Sequence, residues 1–107
     1  RFNPIIADVA ARVRRRETEV LRKAAKKPET FDEFRNSFFS DHVDYVRTAI
    51  RPVLAVMGLG ESVDSVSEAY VNSLETAFKA GVSVDKWAEN TAKNLQLTIK
   101  GATNERL

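Results

Sequence analysis

The sequence has no cysteine, and only three prolines, four glycines, one histidine and one tryptophan in 107 residues. Without cysteine there is no disulfide framework, no thiolate metal site and no thiol nucleophile, and the redox compartment is left open. The single histidine, His42, has only Asp41 and Asp44 as acidic neighbours, which is too few ligands in too short a stretch to predict a metal centre. It is expected near a helix cap or against the neighbouring phenylalanines. No apolar run approaches the roughly 20 residues of a membrane helix, so no membrane span is predicted.

Catalytic patterns are missing as well. Gly58-Leu59-Gly60-Glu61-Ser62 lacks the preceding strand and the lysine that phosphate loops require, and reads as a hinge between helices. No serine, histidine and acid fall into a recognisable arrangement, and no pair of carboxylates stands apart from the surface acids. Tyr45 and Tyr70 are expected in the core with their hydroxyls reaching the surface. The expectation is therefore no enzyme, with no catalytic, cofactor-binding or metal-binding residue.

What the chain has in quantity is charge, unevenly placed. Residues 1–27 carry nine Lys or Arg against three acids, and the remaining 80 carry eight against twelve, so a formal +2 divides into a +6 segment and a −4 body. An apolar fraction of 43% beside 30% charged residues suits a globular domain. A chain of this length forms one domain that buries about two thirds of its unfolded surface. It starts at Arg1 without Met, and Arg1 to Ile6 is too short and polar for a secretory leader, which suggests a segment of a longer protein.

Helical periodicity runs throughout, and no window alternates with period two. Asn3-Pro4 is a helix start. Ile6, Val9, Val13, Val20 and Ala24 form one face of a first helix of about 24 residues, roughly 36 Å long, stopped by Pro28. Thr30 and Glu33 match a capping box ahead of Phe31, Phe34, Phe38 and Phe39, a short aromatic helix. After Ser40-Asp41, the stripe Val43, Val46, Ile50, Val53, Leu54 and Met57 predicts a helix kinked near Arg51 by Pro52. Val63, Val66, Tyr70, Leu74, Ala77 and Phe78 define the next, ended by Gly81. Ser83 caps a last helix with Val84, Trp87, Ala88, Thr91, Leu95 and Ile99 inward, ended by Gly101. The predicted fold is all-α, bundle-like, with four main helices and one short aromatic helix. It divides into a basic arm (1–28), a bundle (29–101) and a frayed tail (102–107).

Two groups in the first helix stand out. Arg12, Arg15, Arg22 and Lys26, with Lys23 at the edge, share a sector away from the apolar stripe. Asp8 and Glu19 lie in the same sector and are spaced to pair with Arg12, Arg15 and Lys23 at i,i+4. The row suits a solvated or subunit-pairing face first and a phosphate contact second, and no aromatic is interleaved for base stacking. Arg16 and Glu17 interrupt the apolar stripe itself, and an unpaired buried charge costs several kcal/mol. Either the stripe is split between two packing regions, or the middle of a projecting arm stays wet, or a neighbouring chain covers this stretch and pairs the charges; the last is favoured.

The run Asp8-Val9-Ala10-Ala11-Arg12-Val13-Arg14-Arg15-Arg16-Glu17, followed by Leu21-Arg22-Lys23-Ala24, Phe34, Phe38-Phe39, Asp41-His42-Val43 and Ile50-Arg51-Pro52-Val53-Leu54, resembles the C-terminal helical region of tailed-bacteriophage portal proteins. The likeness covers residues 5–57, and residues 58–107 add only compatible helices. It implies a structural subunit segment of a homo-oligomeric, dodecameric ring at a capsid vertex, part of the channel for DNA packaging and ejection, near the crown that faces the capsid interior. It also implies capsid, adaptor and terminase proteins as partners, assembly in the host cytoplasm and residence in the virion. ATP hydrolysis would belong to the terminase. Arg16 and Glu17 would then pair between subunits, and the basic arm would lie between subunits or toward DNA, read without sequence preference. The alternative is a stand-alone helical module that binds protein or nucleic acid.

Overall fold

The computed structural model describes the backbone over residues 4–25 and 31–106, and side chains over 6–20, 38, 40–83 and 85–101. Its elements in chain order are α1 (Pro4–Ala25), α2 (Phe31–Val56), a 3-10 turn (Gly60–Ser62), α3 (Val63–Lys79), α4 (Val84–Glu89) and α5 (Thr91–Arg106). No strand occurs among the described residues, and the all-α prediction holds.

The apolar stripes become the core. Ile6, Val9, Ala10 and Val13 of α1 meet Val43, Val46, Ile50, Val53 and Leu54 of α2, Val63, Val66, Val71 and Leu74 of α3, and Leu95 and Ile99 of α5 in one buried cluster. Met57, expected on the inner face, is exposed at the turn that ends α2. The first helix is not a projecting arm: α1 packs against α2, α4 and α5, while α2 packs against α3 and α3 against α5. The radius of gyration of 13.6 Å is close to the roughly 13 Å of a closed domain of this length.

Two helix ends are set by glycine. Gly58 (φ 74°) and Gly81 (φ 91°) occupy left-handed backbone just past α2 and α3. At the first, Leu59 N–H donates to Leu54 O at 2.7 Å and Gly58 N–H to Ala55 O at 3.1 Å. At the second, Val82 N–H donates to Ala77 O at 3.0 Å and Gly81 N–H to Phe78 O at 3.1 Å. Both are Schellman closures, which satisfy the last carbonyls and turn the chain sharply enough for antiparallel neighbours.

Three boundaries differ from the sequence reading. The aromatic helix and the Pro52 helix are one continuous α2, because Phe38, His42, Val46 and Ile50 keep the helical phase straight across Ser40-Asp41. The last helix is instead divided at Asn90, whose side-chain amide donates to Lys86 O at 3.2 Å while Thr91 Oγ1 donates to Ala88 O at 3.1 Å. These local bonds compete with the helical ladder at the break between α4 and α5. Ser83 does cap the segment before that break, accepting from Lys86 N–H at 3.1 Å. Gly101 does not end α5, which continues to Arg106, so residues 102–106 are helical.

Candidate functional site

Glu17 follows Val13 by one helical turn and therefore points into the bundle with the apolar residues of α1. It is 1% exposed. Three donors from three other helices converge on its carboxylate: His42 Nε2 of α2 at 2.6 Å, Tyr70 Oη of α3 at 3.1 Å and Trp87 Nε1 of α4 at 3.0 Å. A carboxylate is acceptor-only, and its two oxygens here meet three donors. Its one negative charge is thus solvated by the protein in place of water.

Arg16, the preceding residue, points toward the side of the same cluster. Its Nη1 donates to His42 Nδ1 at 2.5 Å, and its Cζ lies 5.0 Å from the Tyr45 ring centroid and 5.5 Å from that of Phe38. The His42 ring stacks on Phe38 at 4.6 Å and on Tyr45 at 6.3 Å. These neighbours define the tautomer: a ring that donates at Nε2 and accepts at Nδ1 is neutral with its proton on Nε2. Arg16, His42 and Glu17 therefore form a chain of hydrogen bonds that begins with a cation at the rim and ends with an anion in the core. Cation–π contact of the guanidinium with two rings adds to it.

Tyr70 is fully buried, and its hydroxyl ends on Glu17 and does not reach the surface as the sequence suggested. Burial and the adjacent Glu17 carboxylate, to which it donates, push its ionisation well above the usual tyrosine value. The Tyr70 and Trp87 rings are tilted at 55° with centroids 5.8 Å apart, so both polar tips aim at the same carboxylate.

The pairing of Arg16 and Glu17 corrects the sequence reading. They need neither water nor a neighbouring chain, because His42, Tyr70 and Trp87, at 25, 53 and 70 residues from Glu17, supply the partners. Sequence reasoning missed these three because each looked like an ordinary member of its own helix. The available signal was a carboxylate in an apolar stripe together with the chain's lone histidine and lone tryptophan.

The other predicted residues lie elsewhere. Arg12 and Arg15 are exposed on α1, and neither forms an ion pair among the described residues; the expected pairs with Asp8 and Glu19 are absent. Arg12 is joined to the hub only through its backbone carbonyl, which accepts from Tyr45 Oη at 3.4 Å. Arg15 borders an open groove between α1 and α4, shared with Arg14, Glu19, Asp85 and Glu89. Arg22 and Lys23 belong to α1, with side chains outside the described residues, and Lys26 lies outside them altogether. A separate surface bracket joins α2 to α3, where Arg47 reaches Asp64 through Nε at 2.6 Å and Asp44 through Nη1, and both carboxylates raise its ionisation.

Chemically, the hub is an internal clamp. Both nitrogens of His42 are engaged, and His42 and Glu17 are closed to solvent. No group of three or more His, Asp or Glu that could hold a metal occurs among the described residues, and no described helix is long and apolar enough to cross a membrane. No protein-family model, curated protein or solved structure matches this chain.

Proposed function

We propose that this chain is a structural, non-catalytic helical segment of a tailed-bacteriophage portal subunit, acting in the DNA-packaging and ejection channel of a homo-oligomeric ring. One observation supports this reading: Arg16, Glu17, Phe38 and His42, all among the residues that carry the resemblance, meet in a single buried cluster. Residues separated in sequence that form one clamp are what a structural motif consists of. A clamp in which both His42 nitrogens are engaged and His42 and Glu17 are closed to solvent holds helices together, which favours a non-enzymatic role. In this reading the partners are further copies of the subunit, the capsid, the adaptor and the terminase, and the location is the virion after assembly in the host cytoplasm.

The exposed face of α1 bears on which neighbour it meets. The α1–α4 groove sets Arg14 and Arg15 beside Glu19, Asp85 and Glu89, two cations against three anions. Such a balanced surface suits a protein neighbour better than a polyanion. The test is the assembly state of the intact subunit: negative-stain images should show rings, and a monodisperse monomer at micromolar concentration would refute the portal reading.

The second reading, a helical module that binds nucleic acid, is favoured by Arg12 and Arg15, which carry no ion pair among the described residues. Reversing both with R12E and R15E should reduce the salt dependence of duplex DNA binding by about two charges' worth of slope. An unchanged slope removes it.

A further inference from the structure

The Arg16–His42 hydrogen bond is the one link of the hub that can exist only while His42 is neutral. We infer that the hub is an acid-operated release for Arg16: when His42 takes a second proton, the Arg16 guanidinium is expelled from its seat to solvent while the bundle stays folded. The geometry that carries this is the 2.5 Å approach of Arg16 Nη1 to His42 Nδ1. That approach requires a lone pair on Nδ1. A proton arriving there from bulk acid forms an Nδ1–H bond, breaks no covalent bond, and leaves two N–H groups of two cations facing each other at hydrogen-bond distance.

One of the two must move, and the surroundings decide which. His42 is fully buried, stacked on Phe38 and held at Nε2 by Glu17 at 2.6 Å. Arg16 is half-buried at the rim, lying across the faces of Phe38 and Tyr45. The arginine has a path outward and the histidine has none. Protonation also turns the His42–Glu17 hydrogen bond, already made to a carboxylate, into a cation–anion pair, so the core end of the hub tightens as its rim end opens.

The titratable or charged groups facing His42 among the described residues are Arg16 and Glu17 from α1 and Tyr45 from its own α2. Across the carboxylate stands Tyr70 from α3. From α4 and α5, Trp87 reaches Glu17 and Thr91 reaches Tyr70, and neither is titratable in this range. Before release the two charged partners, Arg16 cation and Glu17 anion, sum to zero around a neutral His42. After it, His42 cation and Glu17 anion sum to zero in the core. The expelled Arg16 then stands one helical turn from the exposed Arg12, so acid adds a free cation to the outer face of α1.

The experiment is an NMR titration of the 107-residue chain from pH 8 to pH 4. It follows the His42 imidazole nitrogens and the Arg16 Hδ protons, which the Phe38 and Tyr45 rings shift upfield in the seated state. Both signals should move with one midpoint, the Arg16 Hδ shift returning to its random-coil value while the methyl signals of Val13 and Leu95 stay put. In His42→Gln, which keeps a donor toward Glu17 and cannot titrate, Arg16 should stay ring-shifted over the whole range. Arg16 remaining ring-shifted while wild-type His42 titrates would overturn the inference. So would an Arg16 transition that survives in H42Q, or global unfolding before His42 takes its proton. Should H42Q fail to fold, the coincidence or separation of the two wild-type midpoints still decides.

Discussion

Replacing Glu17 with alanine removes the one acceptor shared by four helices, and the structure fixes the size of the loss. Three buried donors, His42 Nε2, Tyr70 Oη and Trp87 Nε1, are left without a partner. Each orphaned donor costs about 1–3 kcal/mol. Since the three share one small space and relax together, the sum falls short of simple addition, and about 3–5 kcal/mol is expected, the range for breaking a buried polar pair. A domain of this size has only about 5–15 kcal/mol in hand. At roughly 4–8 °C per kcal/mol, the melting temperature should drop by about 12–40 °C. Glu17→Gln keeps the shape and one acceptor oxygen but turns an NH2 toward a donor, so it should lose roughly half as much. The assay is urea unfolding followed by far-UV circular dichroism and by Trp87 fluorescence. A loss below about 1 kcal/mol for E17A would refute the claim that these bonds hold the bundle together.

Gly81→Ala and Gly58→Ala should each cost about 1–2 kcal/mol in chemical denaturation: an added methyl group meets open space at both sites, so the penalty is the left-handed backbone itself. Pro52→Ala should raise stability by up to about 3 kcal/mol, since Pro52 lies inside α2 and is exposed, so an interior proline's helix penalty is removed with little loss of buried area. Tyr70 keeps its proton in the folded state beyond the pH of about 10 at which an unfolded tyrosine ionises. Above that pH the native state therefore holds one more proton than the unfolded state. Stability should fall by up to about 1.4 kcal/mol per pH unit, and in Tyr70→Phe this share of the alkaline slope should vanish.

Much of the fold could be read in advance because it rests on local periodicity. Val63, Val66, Tyr70 and Leu74 recur every three or four residues, and all four are buried. Gly81 followed by Val82 and Ser83 marks a helix end and a new start by their own backbone chemistry, and both occur. Where the sequence misled, two local signals competed. Ser40-Asp41 offers a cap, but a cap does not form when Phe38 and His42 on either side already share a buried face. Glu89-Asn90-Thr91 offers a break inside an apparently unbroken stripe, and here the side-chain bonds to Lys86 and Ala88 prevail.

The hub was only half visible. That Glu17 sits in an apolar stripe is a local fact; that Tyr70 and Trp87 reach it is tertiary, decided by how α3 and α4 lie on α1. The charges that pointed toward a neighbouring chain are instead neutralised within this one. Oligomerisation in the proposed portal role then depends on the outer face of α1 and the rest of the surface, not on an unfinished core.

Hydrogen exchange of the Trp87 indole proton tests the central claim most directly, because that proton spans α4 to α1 and has Glu17 as its acceptor. If the hub is closed within a single chain, the proton exchanges only through global unfolding, with a protection free energy within about 1 kcal/mol of the stability measured by denaturant. Exchange at the rate of a free indole in the folded protein would contradict it.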